Sequence, residues 1–354
     1  MKFLCMILVA CNLMQCGSSF SRTRPLGSVY QFFEDDEAWA DAQYLDPENY
    51  KPGEFEWWYV DGHLSDGFVF ATSFFIRIQE NGNMVTSIKL NLTKDGEVLR
   101  DDEILVDSAT ASFSKEKCDV RIGKSFIRSL DGLRTFEIYI DDEQGKGVSL
   151  DLTLEKTVPT FTAMPKFLKI KKDYFDWMCT APNGDITGTI TVGDKTTEVR
   201  GSGYHDHNWG DVPLSDLLNG WLWSRGEVDG FTTVAASLHY KNGITVTLVF
   251  VAKGKKVYVA AVGPGVCVQE LRHETNPNTG NEQTVDCKYS FVTLKGIGSV
   301  TFKSKEQIAS YAHMSNGEQH GWYTRYSALN SIKMGIQGIS TGEGYATFEV
   351  MDLD

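Results

Sequence analysis

The chain has 354 residues, with 47 acidic against 34 basic side chains and a formal net charge of −13. That balance leaves no basic surface for a phosphate backbone, so nucleic acid is excluded as a partner. The length exceeds one ordinary domain and points to two. Residues 1–19 read as an export leader: Lys2 precedes an apolar run, Phe3 to Met14, and Gly17, Ser18 and Ser19 offer small residues for cleavage. The run is too short to span a bilayer, and no later stretch reaches that length, so no transmembrane segment is expected. The expected location is secreted or periplasmic, with lipid attachment at Cys16 as the alternative. Cys5, Cys11 and Cys16 fall in the leader, which leaves Cys118, Cys179, Cys267 and Cys287. An even count in an exported chain suggests disulfides. Cys267 and Cys287 are the expected pair, and Cys118 and Cys179 are left as a second pair or as buried thiols. Asn91-Leu-Thr93 is a glycosylation sequon.

Residues 20–53 form an irregular lead-in with a weak helical segment near Glu34 to Gln43. From Glu54 onward, apolar-polar runs are cut by turn signals such as Lys94-Asp-Gly96, Val228-Asp-Gly230 and Lys241-Asn-Gly243. Asp-Gly and Asn-Gly between alternating segments mark hairpins, because both residues tolerate positive φ. No segment carries a long 3.6-residue apolar period, so the fold class is all-β, antiparallel, of barrels or sandwiches. Glu56-Trp-Trp-Tyr-Val-Asp-Gly62 opens one meander and Gly220-Trp-Leu-Trp-Ser-Arg-Gly226 opens another. This weak internal parallel sets one domain at 54–200 and a second at 201–354, with the division near Arg200.

The densest chemistry lies in Gly201-Ser-Gly-Tyr-His-Asp-His-Asn-Trp-Gly210. It continues a run of β-favouring residues from Lys195 to Arg200. If the strand persists, His205, His207 and Trp209 share one face, and Tyr204, Asp206 and Asn208 the other. Buried imidazoles and carboxylates are costly without partners, so such crowding beside large aromatics points to a reaction or binding site. A hydrogen-bonded crossing between β units is the bland alternative. A His-x-His pair also suits zinc, but neither HExxH nor CxxC supplies further ligands, so no metal is expected. In the earlier motif, Glu56, Trp58 and Val60 share a face; a carboxyl desolvated against indoles could stay protonated and act as an acid. Trp221, Trp223 and Arg225 share a face of their own, and aromatic faces shield developing positive charge. Tyr174, Trp177, Trp322 and Tyr323 are further wall candidates. No nucleophile elbow, phosphate loop or dinucleotide fingerprint is present, and no cofactor is implied.

Glu56-Trp-Trp-Tyr59 together with Gly203-Tyr-His-Asp-His-Asn-Trp-Gly210 resembles the AttH-like/carotenoid 1,2-hydratase (hydroxyneurosporene synthase) superfamily. The resemblance covers residues 50 to 350. It implies two tandem lipocalin-like β-barrels with a hydrophobic ligand near their junction, and cofactor-free chemistry on polyenes or prenyl groups by hydratases and by cyclases described as Diels-Alderases. For a hydratase it implies proton transfer to a trisubstituted double bond, a tertiary cation shielded by aromatics, and capture by water. The family's histidine and tryptophan carry over onto His207 and Trp209. The region matching its later-strand Tyr and Asp, Phe231 to Leu248, holds no carboxylate and offers His239 and Tyr240 instead. Asp206 or Glu56 is then the expected acid, with His205 and His207 relaying, and Trp58, Tyr204, Trp209, Trp221, Trp223 and His239 lining the ligand. A non-catalytic lipocalin-like carrier is the rival expectation.

Overall fold

The structure is a computed structural model that describes residues 30–353, apart from 143, 164–172, 294–295 and 316–317. The expected leader and its three cysteines lie outside the described residues. The chain forms two compact units, one mainly Phe32–Leu217 and the other mainly Leu218–His313 with His320–Asp354. Among the described residues, no helix is long and apolar enough to cross a membrane.

The first unit opens with β1 (Gln31–Phe33) and continues through β2 (Phe55–Leu64), β3 (Phe68–Ile78), β4 (Met84–Lys94) and β5 (Glu97–Val106). Short strands follow: β6 (Ser112–Phe113), β7 (Asp119–Ile122), β8 (Ser125–Asp131) and β9 (Thr135–Ile140). Then come β10 (Val148–Lys156), β11 (Thr160–Thr162), β12 (Phe175–Val192) and β13 (Lys195–Gly210). Their order in the sheet is β5-β4-β3-β2-β13-β12-β10-β9-β8-β7-β6, so the long hairpin β12–β13 is inserted beside β2, at the centre. Arg200, where the sequence parallel set the domain division, lies inside β13.

The second unit holds β14 (Leu218–Val228), β15 (Phe231–Tyr240), β16 (Thr245–Lys253), β17 (Lys256–Val262) and β18 (Val266–Thr275). It continues with β19 (Glu282–Thr293), β20 (Gly296–Ser315), β21 (Glu318–Met334), β22 (Ile339–Ser340) and β23 (Gly344–Leu353). Here the order is β17-β16-β15-β14-β23-β21-β20-β19-β18. Every pairing recorded in the two sheets is antiparallel, as the hairpin signals require. At Asp95-Gly96 and Asp229-Gly230 both residues have positive φ, which matches the strand twist.

Alternation gives each sheet one apolar face, and each curls around it. In the first unit that interior is filled by Trp58, Phe70, Phe74, Ile88, Leu90, Phe136, Ile138 and Leu154, all 0–1% exposed. The second closes over Tyr289, Phe291, Val300, Phe302 and Phe348. Burying each such side chain stabilises the fold by about 1.5–3 kcal/mol.

Several expectations are corrected. The lead-in helix shrinks to a single 3-10 turn, Ala38–Asp41. All four described cysteines are free. Cys267 pairs in the ladder with Ser290, and Cys287 with Glu270, so the strand register holds the two thiols apart along β18–β19. Asn91 sits in the middle of β4 and is buried, a poor glycan acceptor.

Candidate functional site

The mid-chain motif is the last part of β13, paired on one side with β2 and on the other with β12. Because side chains alternate, it builds two separate polar clusters, one on each face of the sheet.

On the interior face, His205, His207, Glu56, Trp58 and Trp209 come together as expected. Their partner is a residue the motifs did not flag, Asp41 of the 3-10 turn. His205 Nδ1 donates to the Tyr59 carbonyl at 2.8 Å, and its Nε2 lies 2.9 Å from Asp41 Oδ2. His207 Nε2 lies 2.7 Å from Glu56 Oε1. Its Nδ1 is 3.2 Å from Asp41 Oδ1, close enough for charge attraction but without hydrogen-bond alignment. Thr180 Oγ1 also donates to Asp41, at 3.2 Å. Glu56 does not stand free as an acid. Its two oxygens accept from the backbone N–H groups of Tyr44 (2.7 Å) and Leu45 (3.1 Å) as well as facing His207.

Asp41, Glu56, His205 and His207 are all 0% exposed. Burial disfavours the imidazolium of His207, but Asp41 and Glu56 more than offset it and raise its pKa to about 9. Burial likewise pushes Asp41 up, yet the two histidines hold it below the ordinary carboxylate range. Aromatic rings enclose the network: Trp58 stacks on His207 at 4.4 Å, and Tyr44 stacks on Trp209 at 3.9 Å with nearly parallel planes. The lead-in segment thus acts as a strap laid over this end of the sheet and tied down through Glu56 and Asp41. Asp41, Cys118 and His205 also present three ligand-capable atoms within 4.8 Å of one another, the one such group among the described residues. Asp41 and His205 already pair at 2.9 Å, and the Cys118 thiol points to the Ile127 carbonyl at 4.0 Å.

On the outer face, Asp206 stands apart from both histidines, which rules out the direct relay the sequence suggested. Its Oδ2 accepts from Trp177 Nε1 (2.8 Å) and Tyr204 Oη (2.7 Å), and its Oδ1 from Asn208 Nδ2 (2.7 Å). Burial nevertheless dominates these donors and nearby His205, and pushes the carboxyl up to about 7. Tyr204 Oη also lies 3.1 Å from Cys179 Sγ. The register of β12 shifts between Met178 and Ala181, where Cys179 faces Tyr204 and Thr180 faces Asp41. Tyr59 and Asp61 of β2 lie on this same face, with Tyr59 Oη donating to Asp61 Oδ2 at 2.7 Å. Trp57 packs beside them against Phe55, Phe75 and Phe175.

The remaining candidates belong to the second unit. Trp223 is buried and Trp221 partly so on β14. His239 is half-buried, and burial lowers its pKa against the opposing pull of Glu270. Of the further wall candidates, Trp177 joins Asp206, and Tyr174 packs in a small cluster with Phe33, Leu133, Met178 and Trp209. Trp322 donates to Ser310 Oγ, and Tyr323 stacks on Tyr311.

Two curled antiparallel units, with a polar-aromatic centre on the β2–β13–β12 strands of the first, define the class to which the chain belongs. Residues 46–290 match the AttH-like family, and the chain is a member of it. The fold is shared with solved structures at low sequence identity. CghA, crystallised with Sch210972, aligns over 92% of this chain and 99% of its own, with a TM-score of 0.66 and 12% identity. An AttH protein of Nitrosomonas europaea aligns over 84% and 92%, with a TM-score of 0.60 and 16% identity. Kievitone hydratase of Nectria haematococca aligns over 85% and 89%, with a TM-score of 0.52 and 12% identity. Two curated proteins match over short stretches. A hydroxyneurosporene dehydrogenase of Chlorobaculum tepidum is 34% identical over 55 residues, 14% of each chain. The quinolone epoxide rearrangement protein asqO of Emericella nidulans is 28% identical over 53 residues, spanning 15% of this chain and 14% of its own length.

Proposed function

We propose that the chain is an exported enzyme of hydratase or cyclase type that acts by acid-base chemistry, without a cofactor, on a large apolar small molecule bearing a polyene or prenyl group. The observation that carries this reading is Asp206, a sheltered carboxyl amid an indole, a phenol and an amide, whose pKa lies at about 7. Such a group gives up and regains a proton at neutral pH, as a general acid or base must. In a hydration, Asp206 delivers its proton to one alkene carbon, leaving a cation at the more substituted carbon. Tyr59, Tyr204 and Trp177 present ring faces that stabilise positive charge. Water then captures the cation. Family membership and the fold shared with kievitone hydratase and CghA support this class of chemistry.

His205, His207, Glu56 and Asp41 serve as positioning residues on the opposite face, holding β2, β13 and the strap in register. Trp58 and Trp209 belong to that interior set rather than to the acid's own face. The test is incubation of the purified protein with a panel of prenylated phenols, kievitone among them, and conjugated polyenes, followed by mass spectrometry. A product one water heavier marks a hydratase, and a product of unchanged mass but new retention marks a cyclase or isomerase. Asp206→Asn is expected to lower turnover ~10²- to 10⁴-fold while still folding and binding. Panel compounds that bind and return unchanged would instead establish a carrier.

A further inference from the structure

The outer face carries a repeated element that the sequence shows only in hindsight: Tyr59-Val60-Asp61 on β2 and Tyr204-His205-Asp206 on β13. The strands are antiparallel, and the register sets Tyr59 opposite Asp206 and Asp61 opposite Tyr204. The four side chains therefore form a two-by-two block, related by an approximate two-fold axis between the strands. Within it each tyrosine donates to the aspartate two residues along its own strand, at 2.7 Å in both cases. The two phenol rings meet edge to face, with centroids 6.0 Å apart. Asp61 is 0% exposed and Asp206 6%. Asp61 and Asp206 are diagonal neighbours on this ladder, roughly 7–8 Å apart, a span over which two carboxyls can serve one reacting bond.

Resting on the acid-base reading above, we propose that Asp61, oriented by Tyr59, is the second catalytic carboxyl of this site and works as the base to Asp206's acid. The protonated Asp206 gives its proton to one carbon of the substrate's double bond. The π electron pair forms the new C–H bond, and the other carbon becomes a cation. Water attacks that carbon through an oxygen lone pair, and the Asp61 carboxylate takes the proton the attacking water must lose. One proton has left Asp206 and one has entered Asp61, so the substrate gains one water and the site keeps its total charge. Exchange with solvent on product release restores the starting distribution. Tyr204 fits this cycle. When Asp206 holds a proton it donates to Tyr204 Oη, and the phenolic hydrogen turns to Cys179 Sγ at 3.1 Å. When Asp206 is ionised, the phenol turns back to it.

Two carboxyls so placed in a sheltered site resist being ionised together and titrate as a pair. The other polar groups facing Asp206 are Trp177, Asn208 and Tyr204, with His205 acting through the sheet. The experiment is a carboxyl 13C NMR titration of the wild type, Asp61→Asn and Asp206→Asn, with thermal melting as a folding control. In Asp61→Asn the upper carboxyl midpoint is expected to fall by a unit or more, roughly tenfold in proton affinity, because a neighbouring negative charge is gone. An unchanged Asp206 titration overturns the proposal. Tyr59→Phe, which takes away the phenol that donates to Asp61 Oδ2, is expected to move the same midpoint and carries the test if Asp61→Asn does not fold. With a substrate from the panel, each single Asn variant is expected to lose ~10²- to 10⁴-fold in kcat, and the double variant little more. Wild-type turnover by Asp61→Asn would also overturn the assignment. Coupled titration with no panel compound converted would leave the pair standing and sink the hydratase or cyclase reading instead.

Discussion

Asp206 shows how one residue's surroundings can set its chemistry against its own hydrogen bonds. Three donors favour the carboxylate, yet full burial outweighs them and holds its pKa at about 7, against the ordinary 3.8. A folded pKa above the unfolded one means that the folded state binds the proton more tightly. The stability this contributes is complete below the unfolded value and is lost as pH rises through the folded one. Between about pH 4 and about pH 8 the change amounts to on the order of 4 kcal/mol. Asn keeps the shape but cannot titrate. Melting Asp206→Asn and wild type side by side across that range should therefore show the variant gaining on the parent as pH rises. A constant difference between the two would mean that Asp206 does not change charge there. The two-residue period made the division between Asp206 and the histidines readable from sequence. Alternation sets Asp61 on the face of its own strand away from Glu56 and Trp58, but its role depends on cross-strand register, which pairs Tyr59 with Asp206. No local pattern announces that pairing.

Among the elements, the lead-in strap departs most from what the sequence offered. Composition gave it a weak helix and no function, because Asp41 stands among acidic residues with nothing local to single it out. Its role emerges only when residues more than 160 positions apart meet, Asp41 and His205 at 2.9 Å. The glycines of the β13 motif were easier to see than to explain. Gly203 lies so close to Ile186 that an added Cβ would meet its Cδ1 at 2.2 Å, so that glycine serves the interior packing behind the site. The strap also makes the roles of Glu56 testable. Its carboxylate accepts from the Tyr44 and Leu45 amides and faces the His207 imidazolium. Glu56→Gln keeps the size of the side chain but takes away one of the two carboxylates facing the buried His207 cation, a cost of up to about 3–5 kcal/mol. Hydrogen exchange should localise the effect, with the Tyr44 and Leu45 amides losing protection first while β3 and β4 stay protected. Uniform loss of protection across the unit would mean that Glu56 supports the whole core and not the strap in particular.

At the scale of the whole molecule, the antiparallel all-β class follows from hairpin signals and alternation that any strand reader would find. The extent of β13 and the free thiols follow instead from long-range pairing. The same long-range pairing gives the protein its expected pH profile. His207 is held at about 9 against an ordinary 6.5, so its contribution is complete below about pH 6.5 and fades as pH rises through about 9. Asp41 is held below its ordinary 3.8, so its contribution is complete above about pH 4 and is lost as pH falls through its lowered folded value. Asp206 adds a loss across about pH 4 to 7 in the alkaline direction. These three groups together place maximum stability near pH 4, where Asp41 is already ionised and neither Asp206 nor His207 has begun to lose its contribution. Thermal melting across the range checks this, and His207→Gln identifies the cause. The variant should lie several degrees below wild type at acid pH and approach it above about pH 9, where the parent has lost the imidazolium. A parent whose stability peaks above neutrality would show that the buried imidazolium between Asp41 and Glu56 is not what holds this end of the first unit together.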